Sequence, residues 1–310
     1  MAASSQPGID RRALGAALLT IVLWSSAFVG IRDVAGTFSP GSIALGRLTI
    51  GTLGLGAFML ARGWRPISRR VAAQIVGSGL LWFALYNLTL NEAEHHVDAG
   101  TASMLVNTGP IFLALFAGIF LGERMPRRLL AGLAVAFAGS LIIGFATSEA
   151  SDTAGTSVVG IALCFVAAIS YAGGVTLQKP ALRSVPAIQV TWLACLTGWI
   201  VCLPFAPGLI AQLGAAAPSK IAWLAYLGLF PTSIAFTTWA YALKRTSAGR
   251  LGSTTYLVPP VVILMAWLLL GEIPPPLALF GGAVCIAGVV VVRSSRLRWP
   301  GKAAAAQTPR

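Results

Sequence analysis

The sequence predicts an all-α integral membrane protein of ten transmembrane helices, built as two five-helix halves that are inverted relative to each other. Three observations predict it: an apolar composition, a segregation of positive charge between alternate connectors, and an internal repeat. Of the 310 residues, 56% are hydrophobic and 10% charged, and the mean hydropathy is +0.81. So apolar a chain cannot clothe itself in a polar surface. A bilayer core about 30 Å thick, by contrast, takes up roughly 20 apolar residues per helix.

Apolar runs of that length recur throughout. The first, 13–31, follows Arg11 and Arg12 as a signal peptide would, but it is long for a cleaved segment and many spans follow, so a retained first helix is expected. "FSPGS" at 38–42 introduces the second span, 40–61, and "GWRPISRR" at 63–70 the third, 71–91. Spans at 99–121 and 128–146 complete the first half, and "TSEASDTAGT" at 147–156 links it to the second. There the spans are 157–178, 188–210, 220–243, 251–271 and 276–293, punctuated by "QKPALRSVP" at 178–186 and "EIPPP" at 272–276. The domains expected are therefore 13–146 and 157–293, flanked by tails 1–12 and 294–310. The last ten residues, "GKAAAAQTPR", have the low complexity of a disordered segment.

Charge tests the count. With the N-terminus inside, cytoplasmic segments hold 19 of the 22 lysines and arginines, the outer connectors hold Arg32 and Lys220, and Arg47 lies within a span. An odd number of helices would scramble this positive-inside pattern, so both tails are expected in the cytoplasm. The same clustering explains the net charge of +13 without nucleic acid as a partner. The four cysteines all fall in apolar runs without metal or redox spacing, and read as small buried hydrophobes.

The repeat has an offset of 149 residues. "AGTASMLVNTGPIFLALFAGIFLGERMP" from Ala99 lies without a gap over "AGRLGSTTYLVPPVVILMAWLLLGEIPP" from Ala248, and the match continues through Gly132 and Gly139, which fall on Gly281 and Gly288. With a shift of two residues, "WSSAFVGIR" at 24–32 lies over "YAGGVTLQK" at 171–179. Five helices per half is an odd number, so the second half enters the membrane from the opposite side. That construction is characteristic of secondary transporters, whose substrate site lies between the halves near the midplane.

On these residues the chain resembles the EamA family of the drug/metabolite transporter superfamily, ten-helix exporters of the bacterial inner membrane. "LWSSAFVGIR" in the first helix, "ALGRL" with Arg47 in the second, and the twinned proline-to-Gly-Glu patterns ending at Glu123 and Glu272 carry the resemblance, over roughly residues 13–293. It implies export of small metabolites, often amino acids or related amphiphiles, with protons as the usual coupling ion. It also implies a central cavity formed by helices 1, 3, 4, 6, 8 and 9. No cofactor and no resident metal are implied. Two alternatives stay open: a passive facilitator or channel, and a sugar-phosphate-type exchanger of the same superfamily. The latter would have only Arg47, with Lys179 near a helix end, to answer phosphate charge.

Polar side chains at bilayer depth are the natural candidates for function, because they cost free energy unless they face protein or water. Arg47 lies about seven residues, or roughly 10 Å, into its helix. It would bind a substrate carboxylate or a counter-charge, or else tie helices together. Trp82, Tyr86 and Asn87 share a broad face of the third helix. Trp24 and Ser25, Asn107, Tyr171, Trp239 and Tyr241, and Thr255 and Tyr256 add to an aromatic, hydrogen-bonding cavity on the other helices. The competing reading is that such residues join helices to one another or sit at the membrane interface. Pro110, Pro231, Pro259 and Pro260 are candidate hinges or packing features. Glu123 and Glu272 each precede a proline that opens the next helix, so they read as structural helix-end acids rather than proton carriers. No catalytic nucleophile, P-loop or zinc spacing is present, so an enzyme is not expected.

One polar cluster remains, "NLTLNEAEHHVDAG" at 87–100. Glu92, His95 and His96 share a face if the third helix continues that far, and histidine titrates near neutral pH. Proton sensing at an outer mouth, a metal site, and a plain outer connector kept free of lysine and arginine are its three readings.

Overall fold

The computed structural model of the chain describes residues 10–93, 96, 105–148, 158–270 and 275–293, and helices occupy all ten expected places. Asp10 starts α1 (Arg11–Val34) by accepting from the free backbone N–H groups of Arg12 and Ala13 at 3.0 and 3.1 Å, which a helix start otherwise leaves open. Ser39 caps α2 (Pro40–Arg62), and Gly63 ends it in the left-handed half of φ space at +76°. Next come α3 (Arg69–Ala93), α4 (Gly109–Leu121), which Gly122 closes at φ +65°, and α5 (Arg127–Ser148). The second half comprises α6 (Val158–Ala181), α7 (Ala187–Ala215), α8 (Pro218–Arg245), α9 (residues 248–270) and α10 (Pro276–Arg293). Among the described residues seven of these, α1, α2, α3, α5, α6, α7 and α8, are long and apolar enough to cross a membrane. The outer faces are apolar too: Leu53, Phe120 and Leu268 are each more than two-thirds exposed, a surface that suits lipid tails and not water.

The sequence repeat recurs as geometry. α5 and α10 pack antiparallel, with Gly132 against Gly288, Gly139 against Gly281, and the Cys285 thiol donating to Ala136 O at 3.3 Å. Under the 149-residue offset the first pair becomes the second and the Ala136–Cys285 pair maps onto itself, so a local two-fold axis passes between α5 and α10. Only small residues let two backbones come this near. A Cβ added at Gly139 would stand 2.5 Å from Cys285 N and 2.6 Å from Gly281 O.

α3 and α8 each open into a wide π-helical turn, Gly79–Leu85 and Gly228–Ile234, again 149 residues apart. Each wide turn lies against the second helix of the other half. A Cβ on Gly79 would meet Ala194 O of α7 at 2.6 Å, and one on Gly228 would meet Arg47 O of α2 at 2.9 Å. Side chains fasten both turns. Asn87 Nδ2 donates to Trp82 O and Phe83 O at 3.3 and 3.0 Å, Thr232 Oγ1 to Leu227 O at 2.8 Å, and Ser233 Oγ to Gly228 O at 3.1 Å.

α4 and α9 are interrupted in register as well. α4 begins at Gly109 after a turn at residues 107–108, and α9 passes from a 3₁₀ stretch, Ser253–Leu257, into an α-helix at Val258, the partner of Gly109 under the offset. Pro110, Pro259 and Pro260 thus stand in the first turn of restarted helices, where a missing N–H costs nothing. Pro231 alone of the four hinge candidates lies inside a wide turn.

Candidate functional site

The interrupted helices converge on a cluster of rings. Trp24 of α1, Trp82 of α3 and Trp239 of α8 form a triangle with centroids 5.0 to 5.9 Å apart. Tyr171 of α6 closes on Trp82 at 5.6 Å and on Trp239 at 6.3 Å, with Tyr86 beyond it at 6.4 Å. Edge-to-face geometry dominates around Trp82, the arrangement that ring quadrupoles favour. Trp82 and Trp239 are buried, and no hydrogen-bond partner meets the indole N–H of Trp239 among the described residues. A buried donor left without an acceptor is costly. It is also a group that a polar ligand would satisfy.

Phe236 and Phe83 carry the cluster towards α2. Phe236 lies 4.8 Å from Trp82 and 4.4 Å from Phe83, and both rings line a narrow cleft with Ala44, Arg47, Leu48, Asn87 and Thr232, too tight in this structure to admit a water molecule. Arg47 is 9% exposed. Among the described residues its guanidinium makes no ion pair and no side-chain hydrogen bond, while the four ion pairs present use other cations. Of the nine acidic residues none falls within an apolar run of the sequence, and the four described ones, Asp10, Asp33, Glu92 and Glu123, all lie at or just beyond helix ends. A guanidinium so placed lacks the counter-charge that burial ordinarily demands.

Ion pairs tie the two ends of the bundle instead. At the end where α1 begins, Glu123, just past α4, binds Lys179 of α6 at 3.1 Å and accepts from the backbone N–H groups of Ala248 and Gly249 at 3.0 and 3.4 Å. Lys179 Nζ also donates to Leu243 O and Thr246 O at the end of α8. The helix start that Glu123 engages is that of α9 in the other half, not that of α5 after its own proline. Asp10 and Arg245 pair nearby at 3.6 Å. At the far end, Lys220 bonds Asp33 through both carboxylate and backbone oxygen, and Glu92 meets His96 Nε2, four residues on, at 3.3 Å.

The structure therefore brings together Trp24, Trp82, Tyr86, Tyr171 and Trp239 in the cluster, and Arg47 with Asn87 in the adjoining cleft. Ser25, beside Trp24, donates to Val258 O where α9 restarts, at 3.3 Å. Tyr241 faces away, under the guanidinium of Arg245 at 3.5 Å from its ring centroid. Tyr256 is buried among Leu133, Ala136 and Val289 on the α5 and α10 side. Asn107 is half-buried in the turn before α4, and Thr255 donates to Gly252 O within its own 3₁₀ stretch. His95, Glu94 and Glu272 lie outside the described residues. Phe83 and Phe236 belong to the site although nothing distinguishes a phenylalanine within an apolar run.

Known proteins resemble this one along nearly its whole length. The model of the EamA-like transporter family matches twice, over residues 11–145 and 158–294. A probable terminal-alkyne amino-acid exporter of Streptantibioticus cattleyicolor is 36% identical over 298 residues, covering 96% of this chain and 98% of that one. A probable amino-acid metabolite efflux pump of Salmonella typhimurium is 27% identical, covering 89% and 92%, and the uncharacterized inner membrane transporter YedA of Escherichia coli is 26% identical, covering 93% and 92%. A solved crystal structure superposes with a TM-score of 0.73 at 21% identity, over 91% of this chain and 96% of the other, and so shares the fold.

Proposed function

The chain belongs to the EamA-like transporter family, and from that premise we propose that this multi-pass membrane transporter exports small amino acids or related amphiphiles in exchange for protons. The observation that carries the reading is the ring cluster beside a lone guanidinium, set where irregular helices of the two inverted halves meet. The names of the relatives, an amino-acid exporter and an amino-acid metabolite efflux pump, support the substrate class. The relative named as an inner membrane transporter supports the same membrane here, with the end that holds Asp10, Glu123 and Lys179 in the cytoplasm.

A sugar-phosphate exchanger is the poorer reading. Phosphate sites gather several cations, and Lys179, the second basic residue available, is held by Glu123 and two carbonyls. The test is a panel of apolar amino acids in right-side-out and inverted vesicles with and without a pH gradient. Inverted vesicles are expected to accumulate one of them uphill, and a protonophore is expected to abolish at least nine-tenths of that accumulation. Transport that only equilibrates, whatever the gradient, would make the protein a facilitator.

With no acid in the middle of a span among the described residues, the protonatable groups considered for coupling are the substrate's own and the Glu92–His96 pair at the outer end of α3. That pair is half exposed, and solvent-exposed pairs of this kind are worth at most about 1 kcal/mol. Replacing His95 and His96 together by asparagine should leave thermal stability unchanged and flatten the dependence of accumulation rate in inverted vesicles on lumenal pH, the side that the outer end of α3 faces there. An unaltered pH profile removes the histidines from the mechanism.

A further inference from the structure

We propose that Arg47 binds the carboxylate of an amino-acid head group whose ammonium is received by Asn87 Oδ1 and Thr232 Oγ1, with the substrate's side chain lying against Phe83 and Phe236. This rests on the exporter reading and makes it specific. All five side chains line the same cleft, which is closed in this structure and has to widen to take a substrate. Arg47 is nine-tenths buried, and its guanidinium is free of protein anions among the described residues. Its planar fork matches a carboxylate with two parallel hydrogen bonds.

The other two polar groups have complementary vacancies. Asn87 spends its Nδ2 on the carbonyls of Trp82 and Phe83, which leaves Oδ1 as an acceptor. Thr232 spends its hydroxyl proton on Leu227 O, which leaves the oxygen lone pairs. The cleft thus offers one cation and two acceptors, the inverse of a zwitterion's anion and donor. An ammonium is further favoured beside aromatic faces, and Phe83 and Phe236 supply them. The wide turns of α3 and α8 place both acceptors. Asn87 fastens its wide turn with Nδ2 and keeps Oδ1 as an acceptor, and Thr232 fastens the other with the hydroxyl proton of Oγ1 and keeps that oxygen's lone pairs.

Calorimetric titration of the full-length protein in nanodiscs tests this with L-leucine and L-phenylalanine, their carboxamides, which lack the carboxylate, and their desamino acids, which lack the ammonium. Wild-type protein should bind each acid at least tenfold more tightly than its carboxamide and than its desamino acid. Arg47→Gln should bring the acid down to the affinity of the carboxamide while leaving carboxamide binding as it was, which also shows that the variant is folded. Arg47→Lys, which keeps the charge and loses the fork, should fall between.

Equal loss of acid and carboxamide binding in Arg47→Gln would mean a structural arginine and overturn the proposal, as would wild-type protein that does not distinguish acid from carboxamide. If neither amino acid binds wild-type protein, the head-group site falls. The vesicle assay then decides the exporter reading separately, because uphill efflux of any other metabolite would keep it.

Discussion

Protein carrying Gly139→Leu is expected to lose its compact fold in mild detergent, eluting in the void volume on size-exclusion chromatography or unfolding at a much lower temperature than the wild type. The reason is the distance between α5 and α10. Even a methyl group at this position would stand 2.5 Å from a backbone nitrogen and 2.6 Å from a backbone oxygen, and neither can turn aside as a side-chain tip would. Helices forced apart lose the dispersion contacts that hold them together in lipid, where no hydrophobic effect draws helices to one another. Overpacking of this kind costs about 3 kcal/mol or more. Gly288→Leu, the image of Gly139→Leu under the two-fold axis, should do equal damage. Gly15→Leu is the control, since nothing lies within 4 Å of its position and it is exposed. A melting temperature for Gly139→Leu within a degree or two of the control would show that the two helices are not so closely joined.

The second large effect is expected at Lys179. Its ammonium is surrounded by a carboxylate and two carbonyls, and its side chain and that of Glu123 are 13% and 16% exposed. Lys179→Met leaves Glu123 charged and mostly buried beside the two N–H groups of α9, a change that costs about 3 kcal/mol when a paired charge loses its partner. Glu123→Gln retains one acceptor for Ala248 N and should cost less. The double variant should be more stable than Lys179→Met alone, because the stranded charge is gone. Thermal unfolding of the three proteins measures the coupling. Purely additive losses would mean that the two side chains do not act as a pair.

The spans were legible because a bilayer imposes length and apolarity on any helix that crosses it, and parity followed from the arginines and lysines. The irregularities inside the spans were only half visible. Pro231 marks one wide turn, but its counterpart at Gly79–Leu85 contains no proline, and small residues at a close approach look like any others in an apolar run. The ring cluster was legible through its tryptophans and tyrosines, whose polar atoms distinguish them from ordinary lipid-facing residues. Phe83 and Phe236 carry no such mark. Tyr241 and Tyr256 turn away from the cluster because spacing along one helix gives a face without saying which neighbour that face meets. For the same reason the partner of Glu123 could not be read locally: it belongs to the other half.

The wide turns of α3 and α8 stand at the same register of the two halves, 149 residues apart. Irregular turns of this kind are frequent at functional sites, so each half contributes the same local departure from regular helix geometry to the core between them.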